Sequence, residues 1–419
     1  MGMSAEITRP KSSVPALTGY IGIFVIVSFG LFFPRHLIDS SSMNHAVVFL
    51  LAVFGFMALY ELVFAKTYRD TDTGLDFKQT LGLYKIFTKD FSVKIVGLFI
   101  SLALVAIYYA VADIYQDKWY QRFFIFLLVN WQLIAVAILA YFALVHLYMK
   151  DVKDSYWHLG TFFLTLGKQG NRPIIRDHVL ALVVKMFFLP LMFCYFLDDW
   201  YFVTNFNFSW EMGFKEFYPF LYRYLYFIDL VFVVIGYVFT ARLLNAHIRW
   251  TERRWGGWVV CLICYMPFWQ VIGRSYFNYS SDVKWSSWLW DMPFVYTLWG
   301  SIILLLSALY VLSEAHFGLR FSNLTYRGLI SHGLFRFTKH PAYVSKNVAW
   351  WMVDIPFIAA DWTLGLRNCL ALLGINIVYV LRARYEERCL SEAAEYRQYT
   401  EYMDRFGIFS KKGKKIAKK

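Results

Sequence analysis

The residues best equipped for chemistry lie in the last hundred positions. One group is Gly333-Leu334-Phe335-Arg336-Phe337-Thr338-Lys339-His340-Pro341-Ala342-Tyr343, and the other is Arg382-Ala383-Arg384-Tyr385-Glu386-Glu387. Both adjoin apolar runs of the kind that form membrane helices. Charge at such a boundary is expensive to desolvate, so a cluster returning from both sides of a hairpin points to a polar ligand. Pro341 suits the first turn of a helix, which places His340 and Tyr343 at a helix start, where unpaired N–H groups face anions. Arg382 and Glu386 are four apart, and Arg384 and Glu387 three apart. Taken alone, those spacings also describe two surface salt bridges worth about 0.3–0.5 kcal/mol each.

Composition names the scaffold that must hold these groups. The 419 residues are 59% hydrophobic and 21% aromatic, which excludes a soluble globular chain; the mean hydropathy is +0.45. Apolar runs approach or exceed the roughly 18–20 residues a helix needs to cross the hydrocarbon core. They fall at about 17–34, 45–64, 93–112, 123–148, 178–197, 219–245, 257–272, 293–313, 347–360 and 364–381. The expected fold is an all-α polytopic membrane protein of about ten transmembrane helices. The seventh and ninth runs are short enough to be re-entrant or shifted. Residues 1–290 read as a multi-span module without a recognisable motif, and residues 291–419 as the module carrying the site. Trp285, Trp288 and Trp290, in the loop between the two, read as an interfacial belt.

Charge orients the spans. With the N-terminus inside, the inner segments carry 31 Lys and Arg and the outer loops 6. That asymmetry obeys the positive-inside rule and puts both termini and both chemistry-bearing groups in the cytosol. The net charge of +13 follows from the same bias, and the tail Lys411–Lys419 is expected against anionic lipid head groups. Basic residues beside spans, rather than on a separate domain, speak against nucleic acid. A polar stretch before the first span and no small-residue cleavage site after it leave that span as an anchor.

The pattern Gly-x-aromatic-x-x-x-basic-His-Pro-x-Tyr, from Gly333 to Tyr343, is followed by Arg-x-x-x-Glu-Glu at Arg382–Glu387 and by Tyr396-x-x-Tyr399. Over roughly residues 315–409 the chain resembles the isoprenylcysteine carboxyl methyltransferase and phospholipid methyltransferase superfamily. The resemblance implies S-adenosylmethionine as cofactor, which is available in the cytosol. It implies that Gly333, Phe335, Lys339, His340, Tyr343, Glu386 and Glu387 form the cofactor site. It also implies that Arg382 or Arg384 orients a carboxylate or the acceptor. Asp354, just beyond the motif, is the candidate facing the acceptor. These residue types suit the ligand: carboxylates for its amine or diol, cations for its carboxylate, and aromatic faces for adenine and sulfonium. Three departures stand out: Lys339 where Arg is usual, Ser345 where Gly is frequent, and Gly407-Ile408-Phe409 in place of a closing Pro. Methyl transfer from a sulfonium is an in-line displacement, so alignment and exclusion of water matter most. The expected acceptor is a lipid or lipid-linked group, prenylated ones included, and no general base stands out. Two other readings are an NADPH-dependent membrane reductase of the steroid type and a non-catalytic lipid-binding or transport protein. The paired Glu386-Glu387 opposes the first, because a phosphate-rich cofactor wants cations.

Further features read as structural. Lys185 and Asp229 lie inside spans at depths that would let them pair. Cys261-x-x-Cys264 supplies half a zinc site within an apolar run and reads as packing. The polar stretches Arg69–Asp76 and Gly167–Pro173 lack complete calcium or phosphate loops; either is placed to lie over the C-terminal pocket as a lid.

Overall fold

The computed structural model describes residues 8–32, 42–78 and 82–410. The lysine tail and its expected lipid contact lie outside the described residues. The fold is all-α but for one two-residue strand pair. Its elements are α1 (Ala16–Phe32), α2 (Met43–Leu59, extended by a π-helical turn Tyr60–Ala65), α3 (Lys89–Val111), α4 (Lys118–Tyr148), α5 (Ser155–Leu164), α6 (Arg172–Asn205) and α7 (Phe214–Val238). Then come β1 (Trp250–Thr251), α8 (Trp255–Leu262), α9 (Arg274–Tyr276), α10 (Trp285–Trp288) and α11 (Pro293–Ala315). The chain closes with β2 (Thr325–Tyr326), α12 (Pro341–Asp354), α13 (Trp362–Leu390) and α14 (Ala394–Phe406).

Several helices start where a side chain meets an orphan N–H. Thr88 accepts from Phe91, Asp117 from Trp119, Asp154 from Trp157, and Asn171 from Ile174 with Pro173 in the first turn. Asp361 accepts from both Thr363 and Leu364. Each such cap is worth about 1 kcal/mol.

Among the described residues, seven helices are long and apolar enough to cross a membrane: α2 with its π turn, α3, α4, α6, α7, α11 and α13. The other three expected spans differ. Helix α1 has 17 residues. The run at 257–272 is broken, because α8 ends at Leu262 and Pro267 lacks the N–H that a continuing ladder would need. Helix α12 ends at Asp354 rather than near 360, where Ile355 turns left-handed. At about 1.5 Å per residue it reaches only ~21 Å into a core ~30 Å thick. The sixth run stops at Val238 instead of 245, and the freed chain pairs Trp250 with Tyr326 in an antiparallel register.

Helix α5 carries no span-length signal yet packs tightly on α3. A Cβ on Gly97 would lie 1.9 Å from the Tyr156 carbonyl oxygen, and one on Gly160 2.1 Å from that of Val93. The two helices therefore touch backbone to backbone. Helices α6 and α7 are the most enclosed of the spans and α4 the least. The main core gathers Phe49, Phe188, Phe196, Trp200, Phe227 and Phe232 from α2, α6 and α7, but also Tyr310, Leu319 and Ala342. The modules divided at residue 290 thus share one core. Trp285 leaves the expected aromatic belt as well: it is buried against Tyr218 and Tyr296.

The polar segments sort into two ends. At one end Ser13 donates its N–H to Leu329, Arg249 meets Asp72 at 2.8 Å, and Arg253 bridges Asp177 and Glu392. The Tyr399 hydroxyl donates to the Phe335 carbonyl there, so the N-terminal stretch, the motif and α14 lie together. At the other end Trp119 and Arg122 hold Asp198, Arg223 holds Asp199, and Ser281 reaches the Ile358 carbonyl. Every segment that the charge rule assigns to one side, among those named, falls on one end.

Lys185 and Asp229 do not pair. The Lys185 ammonium donates to Thr240 Oγ1 at 2.9 Å, while Asp229 Oδ2 accepts from the Tyr310 hydroxyl at 2.8 Å. Depth along neighbouring spans was matched, but the two side chains leave their helices toward different neighbours. Losses on Lys185→Ala and Asp229→Ala are therefore expected to add within about 0.5 kcal/mol in a double-mutant cycle of thermal stability. A coupling well beyond that would show direct contact.

Candidate functional site

The two chemistry-bearing groups meet in one cleft. Its walls come from α8, α11, α12 and α13 and from the chain between Phe317 and His340. About 980 Å³ of empty space lies between them, open mouth included. The enclosed part is narrow, with about 100 Å³ for the centres of water-sized molecules.

Pro341 opens α12 as its spacing implied, and Ser345 turns its hydroxyl back to the Pro341 carbonyl. The small hydroxyl fits where Gly was expected. His340 Nε2 lies 2.9 Å from Glu387 Oε1, and the Lys339 ammonium donates to Glu387 Oε2 at 2.9 Å. Both Glu387 oxygens are thus engaged by the motif turn, and Glu387 does not form part of the cleft wall. It ties α13 to the start of α12. Its neighbour Glu386 does face the cleft, accepting from the Tyr343 hydroxyl at 2.7 Å. The His340 and Tyr343 rings lie parallel, 5.3 Å apart, with Tyr379 edge-on to Tyr343.

Arg382 is buried and stands over three aromatic rings, Tyr265, Tyr343 and Tyr379, at 5.4–5.7 Å. Its guanidinium donates to Asn323 Oδ1 at 2.6 Å, and no carboxylate of the described residues comes within ion-pair distance. The helical ion pairs with Glu386 and Glu387 therefore do not form, because both acids point to α12 instead. Arg384 is exposed and outside the cleft wall. Asp354 closes the far end of α12, ~20 Å along the helix from His340 by rise per residue, and it too is absent from the wall. Neither occupies the position expected of a catalytic group.

Phe335 lines the cleft and packs edge-on against Phe317. Gly333 serves a different purpose from ligand contact. It has φ +56°, and a Cβ there would lie 1.6 Å from His316 Nε2. The ring of His316 occupies the space a side chain would need, with His332 5.1 Å beyond it. Burial, with His316 and Arg9 nearby, pushes the His332 imidazole down to about 4. That ring also hydrogen-bonds Ser12 Oγ through its Nδ1 at 3.0 Å. Gly333→Ala is expected to cost about 1–3 kcal/mol of stability through backbone strain and displacement of the ring, read as a lowered unfolding midpoint.

Sequence reasoning missed most of the wall. Cys261, Tyr265, Tyr310, Glu314, Asn323, Lys346 and Tyr379 all line it. Two of them carried a signal. Lys346 lies one turn after Tyr343 on the same face, and Glu314 is an ionisable residue within an apolar span. Cys261 packs in the core as expected and also borders the cleft, whereas Cys264 is only half-buried. Neither expected lid covers it: Asp70 and Thr73 are held by Asn245 and Arg242, and Gly167 folds back on Phe162. Among the described residues no group of His, Cys, Asp and Glu is arranged to hold a metal.

Comparison with known proteins covers this region alone. No curated protein and no solved structure matches the chain. Residues 316–405, which contain both halves of the motif, match the model of a family described as a protein of unknown function, DUF1295.

Proposed function

We propose that this polytopic membrane protein is an S-adenosylmethionine-dependent methyltransferase acting on a lipid or lipid-linked acceptor that enters the cleft from the bilayer. One observation carries the reading: the motif halves, distant in sequence, converge so that His340, Tyr343, Glu386 and Arg382 stand around one cleft. The donor set fits the cofactor. Glu386 offers a carboxylate to its amine or diol, Arg382 and Lys346 offer cations to its carboxylate, and Tyr265 and Tyr379 offer faces to its cationic and aromatic parts. When bound, the cofactor supplies an electrophilic methyl group. The narrow enclosed space requires flexible side chains such as Lys339 and Lys346 to move aside on binding, and their return would exclude water.

The reductase reading fares less well. Glu252, Glu314 and Glu386 share the wall with Lys339, Lys346 and Arg382, so no cationic cluster awaits the phosphates of NADPH. Equilibrium binding to the purified protein separates the readings: S-adenosylmethionine binds and NADPH does not. The reverse result overturns the assignment, and binding of neither favours the non-catalytic reading.

Counting α1 and the broken α8–α9 segment as crossings, and the short α12 with α13 as one hairpin that returns to the side it left, places the motif on a cytosolic face. A cysteine at Arg336, which is exposed on that face, is then protected from an impermeant thiol reagent added outside intact cells. Labelling from outside would reverse the sidedness and deny the cleft cytosolic cofactor.

A further inference from the structure

The α11 wall of the cleft holds a carboxylate that has no partner among the described residues. Glu314 is only 8% exposed and lines the cleft, and its carboxylate has no hydrogen-bond or ion-pair partner among the described residues. The other acids nearby are occupied at least in part. Glu386 accepts from Tyr343, Glu252 accepts from the Arg254 backbone and side chain, and Asp229 accepts from Tyr310. Lys346 does not neutralise Glu314 by contact: its ammonium lies over the rings of Tyr310 and Trp350, at 4.6 and 5.6 Å, beyond ion-pair reach of any carboxylate. A carboxylate that faces a cavity without a protein donor is completed by water or by a ligand.

We infer that Glu314 is the acceptor-side base of this cleft and that the acceptor presents an N–H or O–H group to it. The inference rests on the methyltransferase reading and names the chemistry of its second substrate. The charged groups acting on Glu314 from the surrounding helices are Asp229 on α7, Lys346 on α12, and Arg382 and Glu386 on α13. An acceptor carboxylate has no proton to donate to Glu314 and would leave that group without a hydrogen bond. A protic group instead donates a hydrogen bond to Glu314. In the transfer the lone pair on its nitrogen or oxygen forms the new bond to the methyl carbon. The carbon–sulfur bond breaks with its electron pair going to sulfur, and the N–H or O–H proton passes to Glu314. Charge is conserved: the sulfonium becomes a neutral thioether and the carboxylate a carboxylic acid.

The test uses the full-length protein in lipid nanodiscs, a total lipid extract of the native cells as acceptor source, and S-adenosylmethionine carrying a tritiated methyl group. The wild type is expected to label an organic-phase product that releases no volatile labelled methanol in mild alkali. Glu314→Gln is expected to lower transfer by about 10²-fold or more while leaving S-adenosylmethionine affinity unchanged. Alkali release of labelled methanol would identify a methyl ester, hence a carboxylate acceptor, and overturn the inference. So would undiminished transfer by E314Q, a loss of cofactor affinity matching the loss of transfer, or cofactor binding by the wild type without label reaching any lipid. Should E314Q fail to fold, Glu314→Asp, which withdraws the carboxylate by one methylene, reads the same point: slower transfer at unchanged affinity supports the role, and unchanged transfer removes it. Failure of the wild type to bind S-adenosylmethionine would bring down the methyltransferase reading and this inference with it, an outcome distinct from all the others.

Discussion

His340→Ala and Glu387→Gln are each expected to weaken S-adenosylmethionine binding by roughly 10- to 150-fold, the equivalent of the 1.5–3 kcal/mol carried by a hydrogen bond to a charged group. The two act by different routes. His340 borders the cleft and stacks on Tyr343, so its removal frees the ring that bonds Glu386. Glu387 lies behind the wall, and its loss of charge releases Lys339 and His340 together from α13. The motif turn then no longer holds its place against Arg382. Lys339→Arg keeps the charge and is expected to restore most of the affinity lost in Lys339→Ala, because the contact with Glu387 involves a single oxygen rather than a bidentate clamp. Lys412→Ala, in the tail, serves as the control with unchanged affinity. Affinity equal to wild type in both H340A and E387Q, measured on folded protein, would leave the cleft without its role as the cofactor site.

Arg320→Ala is expected to destabilise the protein by about 3–5 kcal/mol, since it strands a carboxylate that is wholly buried. Glu61, in the π turn after α2, is fully buried, as is the Arg320 side chain after α11. The guanidinium meets both Glu61 oxygens and donates to the Leu244 carbonyl, and the Thr18 hydroxyl completes the set at 2.9 Å. This one pair joins α1, α2, the turn after α7 and the start of the motif region. The double change Glu61→Leu with Arg320→Met is expected to recover part of the loss, because no charge is then left unpaired. Unfolding midpoints in detergent for the single and double variants check both statements. A small, additive effect would show that the pair is not what holds the N-terminal helices to the C-terminal wall.

Much of the membrane architecture was legible in residue order. Apolar length located the seven long helices, and the bias of Lys and Arg sorted the polar segments in the way the two ends of the bundle are built. Local chemistry placed Pro341 at a helix start with His340 and Tyr343 beside it, since a proline's missing N–H acts over a few residues, whereas the meeting of Tyr343 with Glu386 was implied only by the resemblance. The same reasoning failed where the answer depends on a partner far along the chain. Arg382 stands four residues from Glu386, yet bonds Asn323 and stacks among tyrosines from two other elements. Lys185 and Asp229 share a depth but find Thr240 and Tyr310. Asp354 follows the motif closely in sequence and ends up a helix length away.

The sequence by itself therefore determined that the chain crosses a membrane many times, which segments share an end, and which turn opens α12 beside the cleft. Those outcomes come from hydrophobic length, charge and backbone geometry, all local quantities. Tertiary structure alone decided that Glu387 is a tie behind the wall and Glu386 a face of it, that Gly333 makes room for His316, and that Glu314 is left without a partner beside the cleft. Which buried charge is satisfied is settled by side chains arriving from distant helices, and nothing in the spacing of residues along one helix contains that information.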